Sequence, residues 1–137
     1  MIQRGDIFLA DLDPVTGSEQ GGIRPIVVVK NDTGNRNSPT VIAAAVTSNV
    51  DKTPVPTHVE LIVPQLPKDS MVLLEQIRTL DKSRLMHRIG RVSPVQLMEI
   101  DEGLYISFGL LREDAVNPLD GTLARPERKV HRKKKKA

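Results

Sequence analysis

The side chains best suited to bind a phosphate lie in one glycine-rich segment. Residues 17–25 read GSEQGGIRP, which places short hydrogen-bonding side chains between glycines and ends on Arg24 and Pro25. A proline restricts the preceding residue to extended conformations, so Arg24 is expected to project from a definite place at the start of a strand. Its planar guanidinium group suits a phosphate, although a surface ion pair would explain the same residue.

Other residues offer weaker chemical signals. Thr47 and Ser48 follow an apolar run and carry hydroxyl groups, but β propensity followed by a turn explains them equally well. His58 and His87 would form an acid–base pair only if the fold brought them together in a cleft, and structural histidines are the preferred interpretation. The sequence contains no HExxH, GxSxG or phosphate-binding glycine loop. The motifs of the common enzyme classes are therefore absent.

Composition narrows the class of protein. The chain has 137 residues and no cysteine, which predicts one domain with its own core and excludes disulfides, thiolate zinc sites and cysteine nucleophiles. Acidic residues interrupt the apolar ones near the N-terminus, and no run approaches the ~20 apolar residues of a membrane span. We expect a cytoplasmic protein without a membrane partner.

The positive charge is concentrated at one end of the sequence. The net charge is +3, from 20 basic and 17 acidic residues. Residues 125–137 hold eight of the bases and one acid, or +7, which leaves twelve bases and sixteen acids, or −4, for residues 1–124. The basic pI of about 9.4 is therefore weak evidence for a nucleic-acid partner, and such binding would need a local groove.

Short strands are expected to position these residues. Alternating or continuous apolar runs bounded by turn residues predict strands over 5–12, 25–31, 40–47, 57–63, 70–81 and 84–92, with an exposed hairpin loop between the first two. The run at 70–81 fits one bent strand or two short ones.

One helix is expected after the last strand. Ser93 can cap its N-terminus, Pro94 suits the first helical position, and Gln96 can complete a capping box. Five apolar residues then share one face, namely Leu97, Ile100, Leu104, Phe108 and Leu111. Gly103 should cost roughly 1 kcal/mol of helix stability against alanine.

These elements predict a mainly β, α+β fold: a small antiparallel barrel with an appended C-terminal helix. The folded domain is expected to span residues 1–112. Residues 113–137 lose periodicity and end in RPERKVHRKKKKA, so they are expected to form a basic, disordered tail.

A set of motifs distributed over residues 2–92 resembles one known family. The segments are RGDIFLADLDPVTGSEQGGIRP, VVVKND, NRNSPT, AAAVTSN, PTHVEL and LLEQIRTLDKSRL. Together they are similar to the MazF/PemK/Kid toxins of type II toxin–antitoxin systems, especially the Gram-positive branch, and the resemblance continues loosely to about Leu111. It implies an SH3-like β-barrel of the PemK/MazF and CcdB-like fold, which dimerises around an RNA groove.

The resemblance also implies an activity. Family members are sequence-specific endoribonucleases that cut single-stranded mRNA by attack of the substrate 2′-OH, without metal or cofactor, and so inhibit translation and growth. By motif, Arg24 and Thr47 match the catalytic residues. The implied partners are a MazE-like antitoxin and a second copy of the chain. The Kid branch also uses an arginine and an aspartate where this chain has Leu73 and Glu75, so that acid–base scheme is not carried over.

Base recognition is expected to use hydrogen bonds, because only 2% of the residues are aromatic. The expected RNA-binding residues are Ser18, Glu19, Gln20, Ser48, Gln76, Arg78 and Thr79. Two alternatives remain open: a non-enzymatic CcdB-like gyrase poison on the same fold, and a general RNA-binding barrel that holds RNA through its basic tail. The absence of tryptophan argues against the first, since CcdB-like proteins use a tryptophan-containing C-terminus.

Overall fold

The computed structural model describes residues 1–49, 55–67 and 69–110. Its elements are β1 (Asp6–Asp11), β2 (Ile23–Val28), α1 (Asp32–Asn37), β3 (Thr40–Thr47), β4 (His58–Glu60), β5 (Met71–Asp81), a 3₁₀ turn (Lys82–Arg84), β6 (Leu85–Arg91) and α2 (Pro94–Ser107). The predicted domain end at residue 112 and the predicted tail over 113–137 lie outside the described residues.

All six strands belong to one antiparallel sheet in the order β4-β5-β3-β2-β1-β6. This confirms the predicted antiparallel α+β fold with a C-terminal helix. In the part of the chain that the structure describes, no ladder joins β4 to β6. The hydrogen-bonded sheet therefore has two edges and does not close into a complete barrel.

The two central strands, β2 and β3, are buried on both faces. Val27 and Ala44 point to one side and contribute to a core cluster that includes Ile100 of α2. Their neighbours Ile26 and Ala45 point to the other side and belong to a second cluster. Alternation along each strand explains why these apolar runs are continuous. Helix α2 covers the first face, and the second face is the one on which the phosphate-binding candidates lie.

Strand β5 is one strand with an irregular middle, which resolves the choice between one bent strand and two short ones. Ala44 pairs with Ile77, whereas the next residue, Ala45, pairs with Leu73. The three residues between them, Leu74 to Gln76, consequently have no partner on β3. We refer to these three residues as the β5 bulge. A bulge of this kind bends its strand and redirects side chains.

Several predicted boundaries move, and one helix was missed. Strand β2 begins at Ile23 rather than at residue 25, and β4 is limited to three residues of the predicted 57–63. Helix α1 occupies a segment for which no element was predicted. Its signal is Asn31, whose side chain accepts a hydrogen bond from Gly34 N at 2.8 Å and caps the helix. So short a helix leaves no apolar periodicity to detect.

Helix α2 begins as predicted and ends earlier. The Ser93 hydroxyl accepts a hydrogen bond from Gln96 N at 3.1 Å, which confirms the cap. The Gln96 side chain does not complete a capping box but reaches the β4 side of the fold, at the backbone of Glu60 and Ile62. Phe108 is the C-cap and is 58% exposed, so its predicted place on the buried face is wrong. Leu111 lies outside the described residues.

Gly103 gives a first stability prediction. An ideal Cβ at this position would lie 2.3 Å from Leu74 Cδ1, and Leu74 is fully buried. We expect Gly103→Ala to lower the free energy of unfolding by about 1–2 kcal/mol, because the clash outweighs the gain in helix propensity. Urea denaturation measures this. Leu74→Val removes the methyl group that would clash, so the double variant should lose less stability than the two single variants added together. A loss equal to that sum would show that the close approach does not cause the destabilisation.

Two exposed aspartates predict a pH dependence. The backbone hydrogen bond from Arg4 N, at 2.7 Å, lowers the pKa of Asp32, and that from Ser83 N, at 2.8 Å, lowers the pKa of Asp81, each from an ordinary value of 3.8. A carboxyl group whose pKa is lower in the folded than in the unfolded protein stabilises the fold at pH values above its unfolded-state pKa. This stability is lost as the pH falls through the folded-state pKa. The melting temperatures of wild type and Asp32→Ala should therefore differ at about pH 7 and converge at about pH 2. Asp81→Ala should behave in the same way, and an equal difference at both pH values would contradict the assignment.

Candidate functional site

Arg24 and Thr47 lie on the same face of the sheet at neighbouring strand ends. Ile26 pairs with Ala45 in the β2–β3 ladder, and both side chains belong to the second core cluster. Continuing that register by two residues places Arg24 opposite Thr47, with both side chains on this second face. Residues that face each other across antiparallel strands have Cβ atoms about 5 Å apart. One phosphate group would be within reach of both side chains.

Each of these side chains keeps hydrogen-bonding capacity for a ligand. Arg24 is partly buried, and its Nε donates to Gly21 O at 2.8 Å, while its terminal nitrogens donate to no other described residue. Thr47 is 7% exposed, and its Oγ1 accepts a hydrogen bond from Asn49 N at 3.1 Å. A hydroxyl that accepts in this way still has its own proton to donate. Both residues can therefore act as donors to an anionic oxygen.

A groove of about 200 Å³ lies beside this pair. Its lining residues are Leu12, Glu19, Gln20, Ile26, Ala43, Ala45, Glu75, Gln76, Ile77, Arg78 and Leu80. Ile26 and Ala45 form part of its apolar floor. Each lies two residues along its strand from Arg24 or Thr47, on the same face. Its rim carries amide, guanidinium and carboxylate groups. The chemistry of the groove thus combines donors for a phosphate with groups that can address the edges of bases.

Hydrogen bonds hold the glycine-rich loop against the groove. Gln20 N donates to Gln76 Oε1 at 3.3 Å, and Arg78 donates to Leu12 O at 2.8 Å. Asp13 accepts from Gly22 N at 2.9 Å inside the loop. Gln76 and Arg78, both predicted to bind RNA, are thus partly engaged in positioning the loop.

The structure brings together only part of the predicted RNA-binding set. Gln20, Glu19, Gln76 and Arg78 line the groove. Thr79 pairs with Ile42, so its side chain points to the opposite face of β5 from Arg78, because side chains alternate along a strand.

The remaining candidates are exposed residues outside the groove lining. Ser18 is an exposed loop residue, and Ser48 is exposed beyond the end of β3. The two histidines are not joined by a hydrogen bond: His58 pairs with Glu75, and His87 is exposed on β6.

Sequence reasoning missed one polar cluster on the groove. The Glu75 carboxylate accepts hydrogen bonds from Thr57 Oγ1 at 2.9 Å and from His58 Nε2 at 2.8 Å. Partial burial raises the pKa of Glu75, but the bonds from His58, from its own backbone and from Thr57 outweigh burial and lower the pKa. Glu75 is therefore ionised at neutral pH. The signal in the sequence was the pair Thr57-His58, which becomes meaningful only once β4 is paired with β5.

Two findings concern metals and membranes. Among the described residues, no group of three or more histidine, cysteine or acidic side chains is arranged to hold a metal ion. No helix in the described ranges is long and apolar enough to cross a membrane.

Known proteins share this fold. A mycobacterial endoribonuclease in complex with its cognate antitoxin is 28% identical, with a TM-score of 0.67, and the match covers 80% of this chain and 97% of that one. MazF from Deinococcus radiodurans is 27% identical, with a TM-score of 0.69 and coverages of 79% and 96%. MazF in the MazE–MazF complex from the same organism is 26% identical, with a TM-score of 0.64, and the match covers 80% of this chain and 96% of that one.

The family comparison covers most of the described structure. Residues 3–108 match the model of the PemK-like, MazF-like toxins of type II toxin–antitoxin systems. That range contains every element from β1 to α2, and both Arg24 and Thr47. The chain is thus a member of the PemK-like, MazF-like toxin family of type II toxin–antitoxin systems.

Proposed function

We propose that this chain is a toxin that cleaves single-stranded mRNA at a short specific sequence, without a metal ion, and thereby inhibits translation and growth. The observation that carries the proposal is the β2–β3 register, which pairs Ile26 with Ala45 in the floor of a polar groove. Continued by two residues, this register would bring Arg24 opposite Thr47. Membership of the toxin family and the endoribonuclease among the similar structures support it. The Gram-positive branch is proposed from the full set of motifs, and Leu73 stands where the Kid branch has an arginine.

The reaction is transesterification within the RNA. The substrate 2′-OH attacks the adjacent phosphorus, the bond to the 5′-oxygen breaks, and the products are a 2′,3′-cyclic phosphate and a 5′-hydroxyl end. Because the nucleophile belongs to the substrate, the protein has to orient the phosphate and stabilise the charge that develops on its oxygens.

Arg24 and Thr47 would divide that work. The terminal nitrogens of Arg24 donate to the non-bridging oxygens, where negative charge builds up. A guanidinium group does not give up its proton in proteins, so Arg24 is a charge clamp and not a base. The Thr47 hydroxyl donates to a non-bridging oxygen or orients the nucleophile. Their partial burial strengthens both interactions, because the surroundings screen charge less than water does.

We propose an antitoxin partner that binds in the same groove. A MazE-like antitoxin would compete with RNA for it through an extended acidic segment, since both ligands need its donors. The complexes with antitoxin among the similar structures support this.

We also propose a homodimer, because Val95 and Met98 on the outer side of α2 are 67% and 61% exposed, as expected of an interface. A cytoplasmic location fits a toxin that acts on mRNA.

Arg24 gives the decisive activity prediction. Arg24→Ala should lower the rate of RNA cleavage by about 10²–10³ while the protein stays folded, because a pre-positioned donor to the transition state is lost. Thr47→Val should lower the rate as well. The assay uses mixed-sequence single-stranded RNA with EDTA present, and Arg36→Ala, an exposed arginine of α1, serves as the matched control. The wild-type protein should give no discrete cuts in the same sequence made with 2′-deoxy nucleotides, because that substrate lacks the attacking 2′-OH.

Intact RNA with folded wild-type protein would reject the ribonuclease proposal. A gyrase assay and a salt titration of RNA binding would then separate the gyrase-poison alternative from the general RNA-binding one.

The basic segment at 125–137 gives a second prediction. Removing residues 113–137 should leave the positions of cleavage unchanged, because the site residues all precede them. It should also weaken binding to unrelated RNA and flatten its salt dependence, since fewer phosphates are neutralised. Product mapping and binding at several salt concentrations measure the two effects. Loss of specific cleavage in a folded truncated protein would show that the tail belongs to the site.

A further inference from the structure

We propose that Glu75 is a specificity-determining residue that reads an amino group on one base of the RNA, and that Thr57 and His58 hold its carboxylate for that purpose. The inference rests on the proposed ribonuclease function and adds a recognition residue to it. The first observation is geometric. Glu75 and Gln76 are adjacent in the chain, yet both line the groove, whereas a regular strand would point them to opposite faces.

The β5 bulge explains how Glu75 reaches the groove. In a regular strand, consecutive side chains point to opposite faces. Here Glu75 and Gln76 both line the same groove, because they lie in the segment without partners on β3. Leu74, the remaining bulge residue, is fully buried in the core cluster against α2. The bulge thus turns two adjacent polar side chains toward the ligand.

The carboxylate is fixed but not saturated. Oε1 accepts from Thr57 and Oε2 accepts from His58, and the backbone N–H of Glu75 also bonds the carboxylate. An ionised carboxylate has roughly four acceptor positions, so these bonds leave about one for a ligand. The Glu75 side chain is 44% exposed, so a ligand can reach that position. A side chain held from two directions loses little further freedom when it binds.

The chemistry of the carboxylate selects its ligand. An ionised carboxylate only accepts hydrogen bonds and repels phosphate, so Glu75 cannot bind the phosphates of the RNA backbone. A ribose 2′-OH could donate to it, but that group is the same in every nucleotide and would give no sequence preference. The donors that RNA presents on base edges include the amino groups of adenine, cytosine and guanine. Arg24 and Arg78 supply the positive charges on the same side of the fold. The backbone would therefore lie toward the arginines while a base with an amino group faces Glu75.

His58 is a positioning residue in this arrangement. Its Nε2 bonds Glu75, and its Nδ1 is buried without a partner among the described residues. Neither nitrogen is available to a substrate while that bond is made. Its effect on RNA has to pass through the carboxylate. A purely structural role for the cluster, joining β4 to β5, is the competing explanation, and it predicts no change in which sequences are cut.

The test maps cut sites on a randomised single-stranded RNA library. Glu75→Gln keeps the shape of the side chain but replaces one acceptor oxygen with a donor. We expect the wild type to require a base with an amino group at one position of its recognition sequence. In Glu75→Gln, discrimination at that position alone should fall by roughly tenfold. Glu99→Gln, the same change on the exposed face of α2, is the matched control and should leave every position unchanged.

A complementary measurement uses the wild-type recognition sequence with the amino group removed from the base at that position. Wild type should cut this analogue roughly tenfold more slowly than the natural RNA, whereas Glu75→Gln should cut both equally. Thr57→Val, which removes one of the two holding bonds, should reduce discrimination at the same position by a smaller factor. Each of these results supports the inference.

Two outcomes would overturn it. Unchanged sequence preference in Glu75→Gln would mean that the carboxylate reads no base. Uniform loss of cleavage on every sequence by a folded Glu75→Gln protein would assign it to catalysis or structure instead. Failure of the wild type to cut any RNA would refute the proposed function itself, which separates the two hypotheses.

Discussion

The β5 bulge, Leu74 to Gln76, connects the helix, the edge strand and the loop that surround the groove. Leu74 is buried against Gly103 of α2, and its carbonyl accepts a hydrogen bond from Ser107 at 2.6 Å. The next residue, Glu75, is bonded to β4 through His58, and Gln76 is bonded to the glycine-rich loop. The bulge therefore fixes the helix, the edge strand and the loop together. Displacing it by one residue would alter all three contacts.

A second constraint is the burial of β2 and β3 on both faces. It leaves the middle of these strands entirely apolar and restricts polar side chains to their ends. Arg24 and Thr47 occupy such ends, next to the apolar floor formed by Ile26 and Ala45. In these surroundings a hydrogen bond to an anion is stronger than at an open surface, and an arginine without a ligand is costly. These surroundings would suit the charged ligand of the proposed function.

The charge distribution agrees with recognition by a local site. Outside residues 125–137 the chain carries more acidic than basic residues, −4 by count, so the body as a whole does not attract RNA. The groove lining combines Arg78 with the carboxylates of Glu19 and Glu75. An alternation of donors and acceptors of this kind discriminates between bases better than a uniformly basic surface, which binds any polyanion.

The sequence by itself determined the strand pattern, the N-cap of α2 at Ser93 and the family. These depend on local periodicity, capping chemistry and contiguous motifs. Only the tertiary structure decided which face each polar residue occupies. The three-residue offset in β5 shifts the alternation, so Glu75 joins the groove while Thr79 points away from it, and the partnership of His58 with Glu75 spans two strands. Register and long-range pairing are properties of the folded sheet, and no spacing along the chain encodes them directly.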